Sequence, residues 1–177
     1  QWVVSLDEIG PAHVGVKPDG PEDNHAAVRY HALWGNLMAG GAGAEWYFGY
    51  DYPHNELNAE DWRSRSSMWA YTRHALHFFH EYLPFHRMQS ADHLTPADND
   101  YVLASTGEMY AIYRPDGSAP RIEIDPGTYR VHWYNPRAGG SLHTGSVETI
   151  EGPGTQEIGT PPTSGDDDWV ALIRREK

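Results

Sequence analysis

The N-terminal residues combine an apolar run with two carboxylates. Val3, Val4 and Leu6 lie directly before Asp7 and Glu8, and a Gly-Pro turn follows. Such a run is typical of a strand that is buried on both faces of a parallel sheet. Carboxylates at the carboxyl end of such a strand occupy the position where α/β barrels carry their chemistry. The sequence therefore predicts a catalytic role for Glu8, and the structural alternative is an ion pair at a strand end.

The patterns after this run indicate two βα units. Asn24 is a candidate N-cap for a helix from His25 to about Met38, and a strand is predicted over residues 42–48. A second helix covers roughly residues 67–83. Apolar residues recur at helical spacing in both helices: Ala26, Tyr30, Leu33 and Leu37, then Met68, Ala75, Phe79 and Leu83. Strand, helix and strand of these lengths predict parallel pairing.

A different pattern begins near residue 86. Short alternating runs separated by turn signals predict six strands, over residues 101–104, 108–113, 121–125, 129–134, 146–150 and 169–174. Residues 152–168 indicate a surface loop. The predicted fold class is α/β plus all-β. The last βα units of a (β/α)8 TIM barrel would occupy residues 1–86, and a C-terminal antiparallel β-sandwich would occupy residues 87–177.

The start of the chain bears on its completeness. Gln1 lies within the first predicted strand, and a buried parallel strand cannot be the first element of a complete domain of this kind. We therefore expect the sequence to be the C-terminal part of a larger enzyme. A partial barrel exposes strand edges. The chain should thus need a partner that supplies the missing N-terminal barrel segment, or associate as a homo-oligomer.

Composition excludes several functional classes. Thirteen Lys and Arg against 25 Asp and Glu give a net charge of −12, which disfavours nucleic acid and anionic membrane as partners. Seven Trp and 11 Tyr indicate a packed protein and are compatible with rings that stack on sugars. The absence of Cys excludes disulfides and thiolate metal sites. No apolar run approaches the length of a membrane span.

Several candidate binding residues lie near the two predicted strand ends. Trp46 could form a stacking platform for a sugar, and the alternative is that it packs between strand and helix. Tyr50 and Asp51 on the following loop are candidate rim contacts. His13 and His25 flank the loop after the first strand and could hydrogen-bond sugar hydroxyls. Together these residues predict a carbohydrate-binding cleft.

Two clusters invite a metal interpretation. His74, His77 and His80 have the spacing i, i+3, i+6, which can build a zinc site, but no HExxH motif is present. Asp166, Asp167 and Asp168 could ligate Ca²⁺, yet they lack the EF-hand spacing. Solvated histidines and an acidic surface turn are the simpler interpretations. We therefore predict no metal site and no cofactor.

Two parts of the sequence resemble known families. Residues 6–11, 25–29 and 40–47 resemble the end of a retaining glycoside hydrolase barrel, and they are similar to bacterial clan A enzymes of the apiosidase-like or endoglucanase type. Residues 131–140, with Trp133, Pro136-Arg137 and Gly139-Gly140, resemble the β-module labelled as collagen-binding. Both halves occur together in this order in that family, and the resemblance covers nearly the whole chain.

The resemblance implies a mechanism. Glu8 matches the strand-7 nucleophile, and its acid/base partner would lie on strand 4, which this sequence lacks. Retaining hydrolysis needs two carboxyl groups about 5–5.5 Å apart, so one carboxylate cannot perform both displacements. Asp7 points to the opposite side of the strand from Glu8 and is expected to hold a loop or an ion pair.

Two functions follow. The first is a fragment of a secreted or periplasmic bacterial glycoside hydrolase that cleaves a plant or algal polysaccharide, with the 177-residue segment inactive alone. The alternative is a non-catalytic module that binds carbohydrate or collagen or has a structural role. In either case we expect the β-domain to dock on the second helix through an apolar interface.

Overall fold

The structure is a computed structural model that describes residues 4–55, 57–58, 61–116, 120–163, 165 and 167–177. Its N-terminal part contains a short parallel strand pair, β1 (Ser5–Leu6) and β2 (Gly43–Ala44). Between them runs a continuous helical segment that consists of α1 (His25–Ala27), a π-helix (Val28–Gly35) and α2 (Asn36–Met38). A 3₁₀ turn (Trp62–Arg65) and helix α3 (Ser66–Tyr82) follow β2.

The predicted fold class is wrong. No βα units of a TIM barrel are present in the part of the chain that the structure describes. The first two strands are parallel as expected, but each has only two residues, and Val4 beside β1 is 61 % exposed. An apolar run shows that a strand can be buried, whereas burial also needs a covering layer of other residues. Described residues do not cover Val4.

The first helix has the predicted bounds, and its buried face is partly as predicted. Leu33 is buried as expected, whereas Ala26 is exposed and Trp34 and Met38 are fully buried. In the π-helix each N–H pairs with the carbonyl five residues earlier, so residues on one face no longer recur at the spacing of an α-helix. The second predicted helix is confirmed almost to the residue by α3, which ends before Pro84.

The C-terminal part is one six-stranded antiparallel sheet and not a two-sheet sandwich. Its strands are β3 (Gln89–Ser90), β4 (Tyr101–Ser105), β5 (Met109–Arg114), β6 (Arg121–Tyr134), β7 (Thr149–Glu157) and β8 (Trp169–Arg175). Their order across the sheet is β3-β4-β5-β8-β6-β7. Two further 3₁₀ turns, Phe85–Arg87 and Asp92–Leu94, flank β3.

Strand β6 passes through a predicted turn without interruption. The Asp125-Pro126-Gly127 sequence predicted a break between two strands, but the pairing of β6 with β7 continues with a register shift between Ile124 and Gly127. A β-bulge accommodates an extra residue and allows proline within a strand. Strand β7 likewise extends to Glu157, into residues that were predicted as a surface loop. These two differences explain why one sheet replaces the predicted sandwich.

Both faces of the sheet are buried. In β5, Tyr110 and Ile112 pack in a core within the β-region, and Ala111 and Tyr113 pack in a core shared with the helices. This alternation follows from the two-residue period of a strand. Helix α3 contributes four fully or largely buried residues to the shared core: Met68, Ala75, Phe78 and Phe79. The predicted apolar docking of the β-region on this helix is therefore confirmed.

A buried charge group, the Asp168 group, also joins the helices to the sheet. Arg29 on the π-helix donates from Nε and Nη2 to the two carboxylate oxygens of Asp168, both at 2.9 Å. Tyr113 donates its hydroxyl to Asp168 Oδ2 at 2.7 Å, and Arg137 Nη1 donates to Oδ1 at 2.9 Å. Burial acts to lower the pKa of Arg29, but the hydrogen bonds and charge of Asp168 raise it above its usual value. Burial and the nearby carboxylate raise the pKa of Tyr113.

A second buried pair, the Asp100 group, lies beside β5. Asp100 Oδ1 is 3.1 Å from Arg114 Nε, which is also 3.4 Å from Asp116 Oδ1. The side chain of Asp100 is fully buried. Burial raises the pKa of Asp100 to about 6, because the loss of hydration outweighs the attraction of Arg114.

Candidate functional site

Two loops follow the paired strands and lie against each other. We call residues 7–17 loop A and residues 45–55 loop B. Val16 N donates to Tyr47 O at 2.6 Å, and the amides of Tyr50 and Asp51 both donate to His13 O, at 3.1 and 3.0 Å. The parallel direction of β1 and β2 brings the loops to the same edge of the pair. The hydrogen bonds then join them into one surface.

The loops cross where each contains a glycine. A Cβ atom on Gly15 would lie 2.2 Å from Tyr47 O, and one on Gly49 would lie 2.5 Å from the carbonyl carbon of Val14. Both glycines have positive φ, 53° and 68°. Only glycine satisfies both the close approach and the left-handed backbone at these points. The geometry of the two loops is therefore fixed by backbone contact.

Backbone strain is concentrated in the same two loops. Among the described residues, the two non-glycine residues with positive φ are Glu8, at 47°, and His54, at 55°. Glu8 lies in loop A and His54 in loop B. A side chain in the left-handed region is unfavourable and persists only where surrounding contacts hold it. Strain of this kind is typical of binding and catalytic loops.

Arg65 connects the loops from inside the protein. It is fully buried, and its Nε donates to Val16 O at 3.0 Å. Its Nη1 donates to Pro53 O at 3.0 Å and to His54 O at 2.9 Å. One guanidinium thus binds loop A and loop B at once. The sequence does not single out this residue, because nothing in the spacing distinguishes Arg65 from the exposed Arg63.

Tyr50 and His13 form the exposed part of the loop surface. Their ring centres are 6.2 Å apart at an interplanar angle of 54°. Tyr50 is 52 % exposed, and His13 and Asp51 are exposed as well. The structure thus brings together three of the predicted site residues. Two tilted rings beside a carboxylate present apolar faces and a hydrogen-bond acceptor to solvent.

Trp46 lies in loop B and is directed towards α3. Its indole Nε1 donates to Thr72 Oγ1 at 3.0 Å, and its ring packs against the shared core. Thr72 in turn donates to Met68 O within the helix, at 2.8 Å. This contact matches the alternative in which Trp46 packs between strand and helix. The described contacts do not place it with the rings of Tyr50 and His13.

His25 lies apart from the exposed rings. It is buried, with Nε2 2.7 Å from Lys17 O and Nδ1 3.5 Å from Asp19 Oδ1. Asn24 occupies the predicted N-cap position, but its side chain makes no capping hydrogen bond and instead binds the backbone of Gly15 and Lys17. The side chain does not cap the helix because loop A competes for the Asn24 amide. These contacts make both residues part of the support of loop A.

Asp19, two residues after loop A, joins the end of this loop to the N-terminus of α3. Its carboxylate accepts hydrogen bonds from Ser66 Oγ at 2.7 Å and from Ser67 N at 3.2 Å. Partial burial acts to raise the pKa of Asp19, but these hydrogen bonds lower it overall. A carboxylate at this position also complements the helix dipole.

Glu8 and Asp7 are both exposed at the start of loop A. Glu8 stands at the carboxyl end of β1, where the sequence placed it. Its catalytic role stays a prediction, because no second carboxyl group at the required distance is defined for it.

The histidine and aspartate clusters show no metal-binding arrangement. Within the described ranges, no group of three or more His, Asp or Glu residues is placed to hold a metal ion. The ring of His74 packs against Gly139, and burial together with Arg73 lowers its pKa. Asp168 belongs to the buried charge group, and Asp166 lies outside the described residues. None of the helices described here combines the length and apolarity needed to cross a membrane.

Comparison with known proteins concerns first the C-terminal part. The model of the family described as "Putative collagen-binding domain of a collagenase" matches residues 91–174, slightly less than half of the chain. No curated protein sequence matches this chain. The matched segment contains β4 to β8 almost completely.

Two solved structures are similar over most of the chain. One, named "Glycoside hydrolase", is 14% identical with a TM-score of 0.63 and aligns with 92% of this chain and 41% of its own. The other, a glycoside hydrolase family 5 protein from Bacteroides vulgatus ATCC 8482, is 12% identical with a TM-score of 0.68 and aligns with 96% of this chain and 41% of its own. This chain thus spans less than half the length of both proteins. At such identities the likeness concerns the fold, and the fold is that of a module found within glycoside hydrolase chains.

Proposed function

We propose that this chain is a non-catalytic accessory module of a glycoside hydrolase and that it binds carbohydrate through loops A and B. The observation that carries the proposal is the fold likeness, which extends over 92% and 96% of this chain but only 41% of each hydrolase. A shared module of this extent is expected to serve the same class of substrate as the proteins that contain it.

The exposed rings of loops A and B supply the contacts that a sugar would need. Sugar rings have apolar C–H faces that pack on aromatic side chains, while their hydroxyls need hydrogen-bond partners. Tyr50 and His13 offer two such rings, and Asp51 offers an acceptor. Because the loops are held by backbone contacts, little conformational entropy would be lost on binding.

The non-catalytic part of the proposal rests on carboxylate geometry. Retaining hydrolysis needs a nucleophile and a general acid about 5–5.5 Å apart. Glu8 has φ of 47°, so the alternation of side chains along an extended strand does not apply to it. The resemblance assigns the general acid to another barrel strand, and this chain aligns with only 41% of each hydrolase. We expect the isolated chain to bind polysaccharide without cleaving it.

Native affinity electrophoresis with xylan or hydroxyethyl cellulose in the gel tests this function. Wild-type protein should be retarded by at least one of them and should release no reducing sugar. Tyr50→Ala should lose retardation, whereas Trp62→Ala, which removes another exposed ring outside the loops, should keep it. Retardation that survives Tyr50→Ala would place binding elsewhere. Pull-down on fibrillar collagen alone, with no retardation by polysaccharide, would favour the collagen-binding role that the family description names.

A second candidate function concerns Glu8 in a longer enzyme. The specific observation is the left-handed backbone of Glu8 at the end of β1, where its carboxylate is exposed at the start of loop A. In this version a further segment supplies the general acid, and Glu8 attacks the anomeric carbon to form a glycosyl-enzyme. In such a longer protein, Glu8→Gln should lower kcat by orders of magnitude with KM little changed, while Asp7→Asn should leave kcat near the wild-type value. Equal kcat values for both variants and wild type would exclude this role.

A further inference from the structure

We propose that Arg65 is the positioning residue of the carbohydrate-binding loops. Its guanidinium fixes loop A against loop B and thereby sets where Tyr50 and His13 lie. The inference rests on the proposed function, because it concerns the same rings. Arg65 itself is fully buried and does not reach the ligand.

The hydrogen bonds of Arg65 divide between the two loops. Nε donates to Val16 O in loop A at 3.0 Å, and Nη1 donates to Pro53 O and His54 O in loop B at 3.0 and 2.9 Å. The donors of a guanidinium lie in one plane with fixed directions. The three carbonyl groups are consequently held in one relative position, and so are the loops that carry them.

One of these carbonyls belongs to a strained residue. His54 has φ of 55°, in the left-handed region that side chains other than glycine rarely adopt. A charge-assisted hydrogen bond to its carbonyl stabilises this conformation. Loop B without Arg65 is therefore expected to relax towards an ordinary backbone conformation.

Two short paths lead from Arg65 to the exposed rings. The guanidinium carbon lies 4.5 Å from the centre of the Phe48 ring, and Phe48 is two residues before Tyr50. On the other side Val16, which accepts from Arg65, donates its own amide to Tyr47 O. Since Tyr50 N also donates to His13 O, a shift of either loop changes the spacing of both rings.

Lysine cannot replace this arginine. An ammonium is a point charge on a flexible stem and cannot reach three carbonyls on two loops with a planar fork. Arg65→Lys therefore keeps the charge and loses the geometry, while Arg65→Met removes both. Arg63→Lys is the matched control, because Arg63 lies two residues away with its side chain 72 % exposed and paired with Asp61.

Hydrogen exchange and carbohydrate binding together test the proposal on the full 177-residue chain. In Arg65→Lys the amides of Val16, Tyr50 and Asp51 should exchange about tenfold faster or more, while the amides of α3 keep their rates. Retardation by xylan or hydroxyethyl cellulose should weaken about tenfold. Arg63→Lys should change neither quantity.

Different outcomes separate the inference from the proposed function. Unchanged exchange of the three loop amides in Arg65→Lys overturns the positioning role, even if wild type binds polysaccharide. Wild-type protein that binds neither polysaccharide overturns the proposed function, while the exchange rates still decide whether Arg65 holds the loops. If the Arg65 variants fail to fold, hydrogen exchange of the wild-type protein decides the question. Because one guanidinium holds both loops, the amides of Val16, Tyr50 and Asp51 should open together with one opening free energy, and unrelated opening free energies would overturn the role.

Discussion

The Asp168 group and the Asp100 group bury an aspartate beside an arginine under different conditions. Asp168 accepts hydrogen bonds from two arginines and a tyrosine, so each carboxylate oxygen has a donor within 2.9 Å. Asp100 lies near one arginine, which it shares with Asp116. Both aspartate side chains are fully buried. The difference lies in the number of donors that replace water.

This difference decides how well each buried carboxylate is compensated for the loss of water. Four hydrogen bonds surround Asp168, and Asp168 and its partners join the helices to the sheet. Where one cation serves two acids, loss of hydration dominates, and the pKa of Asp100 rises to about 6. The first arrangement supports the interface between the helices and the sheet, and the second makes the stability of one corner of the sheet decrease as the pH rises through about 6.

The largest effect is expected from Asp168→Asn. The change removes the charge that the buried Arg29 and the partly exposed Arg137 face, and it replaces one acceptor oxygen with a donor. Loss of one partner from a buried ion pair costs about 3–5 kcal/mol. Urea unfolding should report this loss in the free energy of unfolding. Asp167→Asn is the control: that carboxylate is 63 % exposed at 3.2 Å from Arg137, and about 0–1 kcal/mol is expected. An equal loss in the free energy of unfolding for both variants would contradict the view that the buried Asp168 group contributes more than an exposed pair.

Asp100→Asn should change the pH dependence of stability. The folded-state pKa of about 6 exceeds the unfolded value of 3.8, so the protonated form is favoured by folding. The stability contributed by Asp100 is fully present below pH 3.8 and is lost as the pH rises through about 6. The contribution of Asp100 to the free energy of unfolding changes by about 3 kcal/mol at most over this pH range, since each pKa unit corresponds to about 1.4 kcal/mol. Urea titrations at several pH values should show the wild type losing stability relative to Asp100→Asn between pH 4 and 7. A difference in the free energy of unfolding between the two proteins that stays constant with pH would contradict the raised pKa of Asp100.

Tyr113→Phe tests one donor of the Asp168 group. The variant keeps the ring that stacks on Trp34, with centres 5.1 Å apart and planes at 8°, and it loses the hydroxyl. A hydrogen bond to a charged group contributes about 1.5–3 kcal/mol. Tyr134→Phe removes a hydroxyl that donates to the neutral His74 carbonyl at 2.8 Å, for which about 1 kcal/mol is expected. Thermal or urea unfolding should rank the two variants in this order, and the reverse order would indicate that Tyr113 contributes little to the carboxylate.

The smallest effect is expected for the surface pair Arg121–Glu157. Both side chains are more than half exposed where β6 and β7 pair. Exposed ion pairs contribute about 0–1 kcal/mol, since water and salt screen them. Arg121→Ala should therefore leave the free energy of unfolding nearly unchanged in urea titrations. A loss comparable to that of Asp168→Asn would mean that burial is not what makes the Asp168 group contribute more to stability than a surface ion pair.

Helix bounds and strand positions could be read from local patterns because those patterns have a single physical cause. The apolar spacing and Pro84 define α3, and the alternating runs locate β4, β5 and β8. The barrel could not be tested in this way. An apolar run such as the one before Asp7 reports a preference for burial, and it does not report whether a covering layer exists.

The loop surface was only partly predictable. Aromatic and acidic residues after a strand are a chemical signal, and the structure brings His13, Tyr50 and Asp51 together on the loop surface, while their role in binding stays a prediction. Arg65 and the crossing of Gly15 with Gly49 were not found, since their role depends on contacts between segments that are distant in sequence. In the same way, Asp168 was assigned to a surface turn because its partner Arg29 is 139 residues away.

The position of β8 has a consequence for how the chain is synthesised. This strand is made after the other five of its sheet, yet it lies between β5 and β6 at the centre. Until the ribosome has released residues 169–175, the earlier strands remain two separate groups, β3-β4-β5 and β6-β7, with open edges facing each other. The six-stranded sheet therefore cannot assemble during translation before β8 has been made. A ribosome that stalls before Trp169 leaves two incomplete sheets with exposed, aggregation-prone edges, which chaperones and proteases recognise.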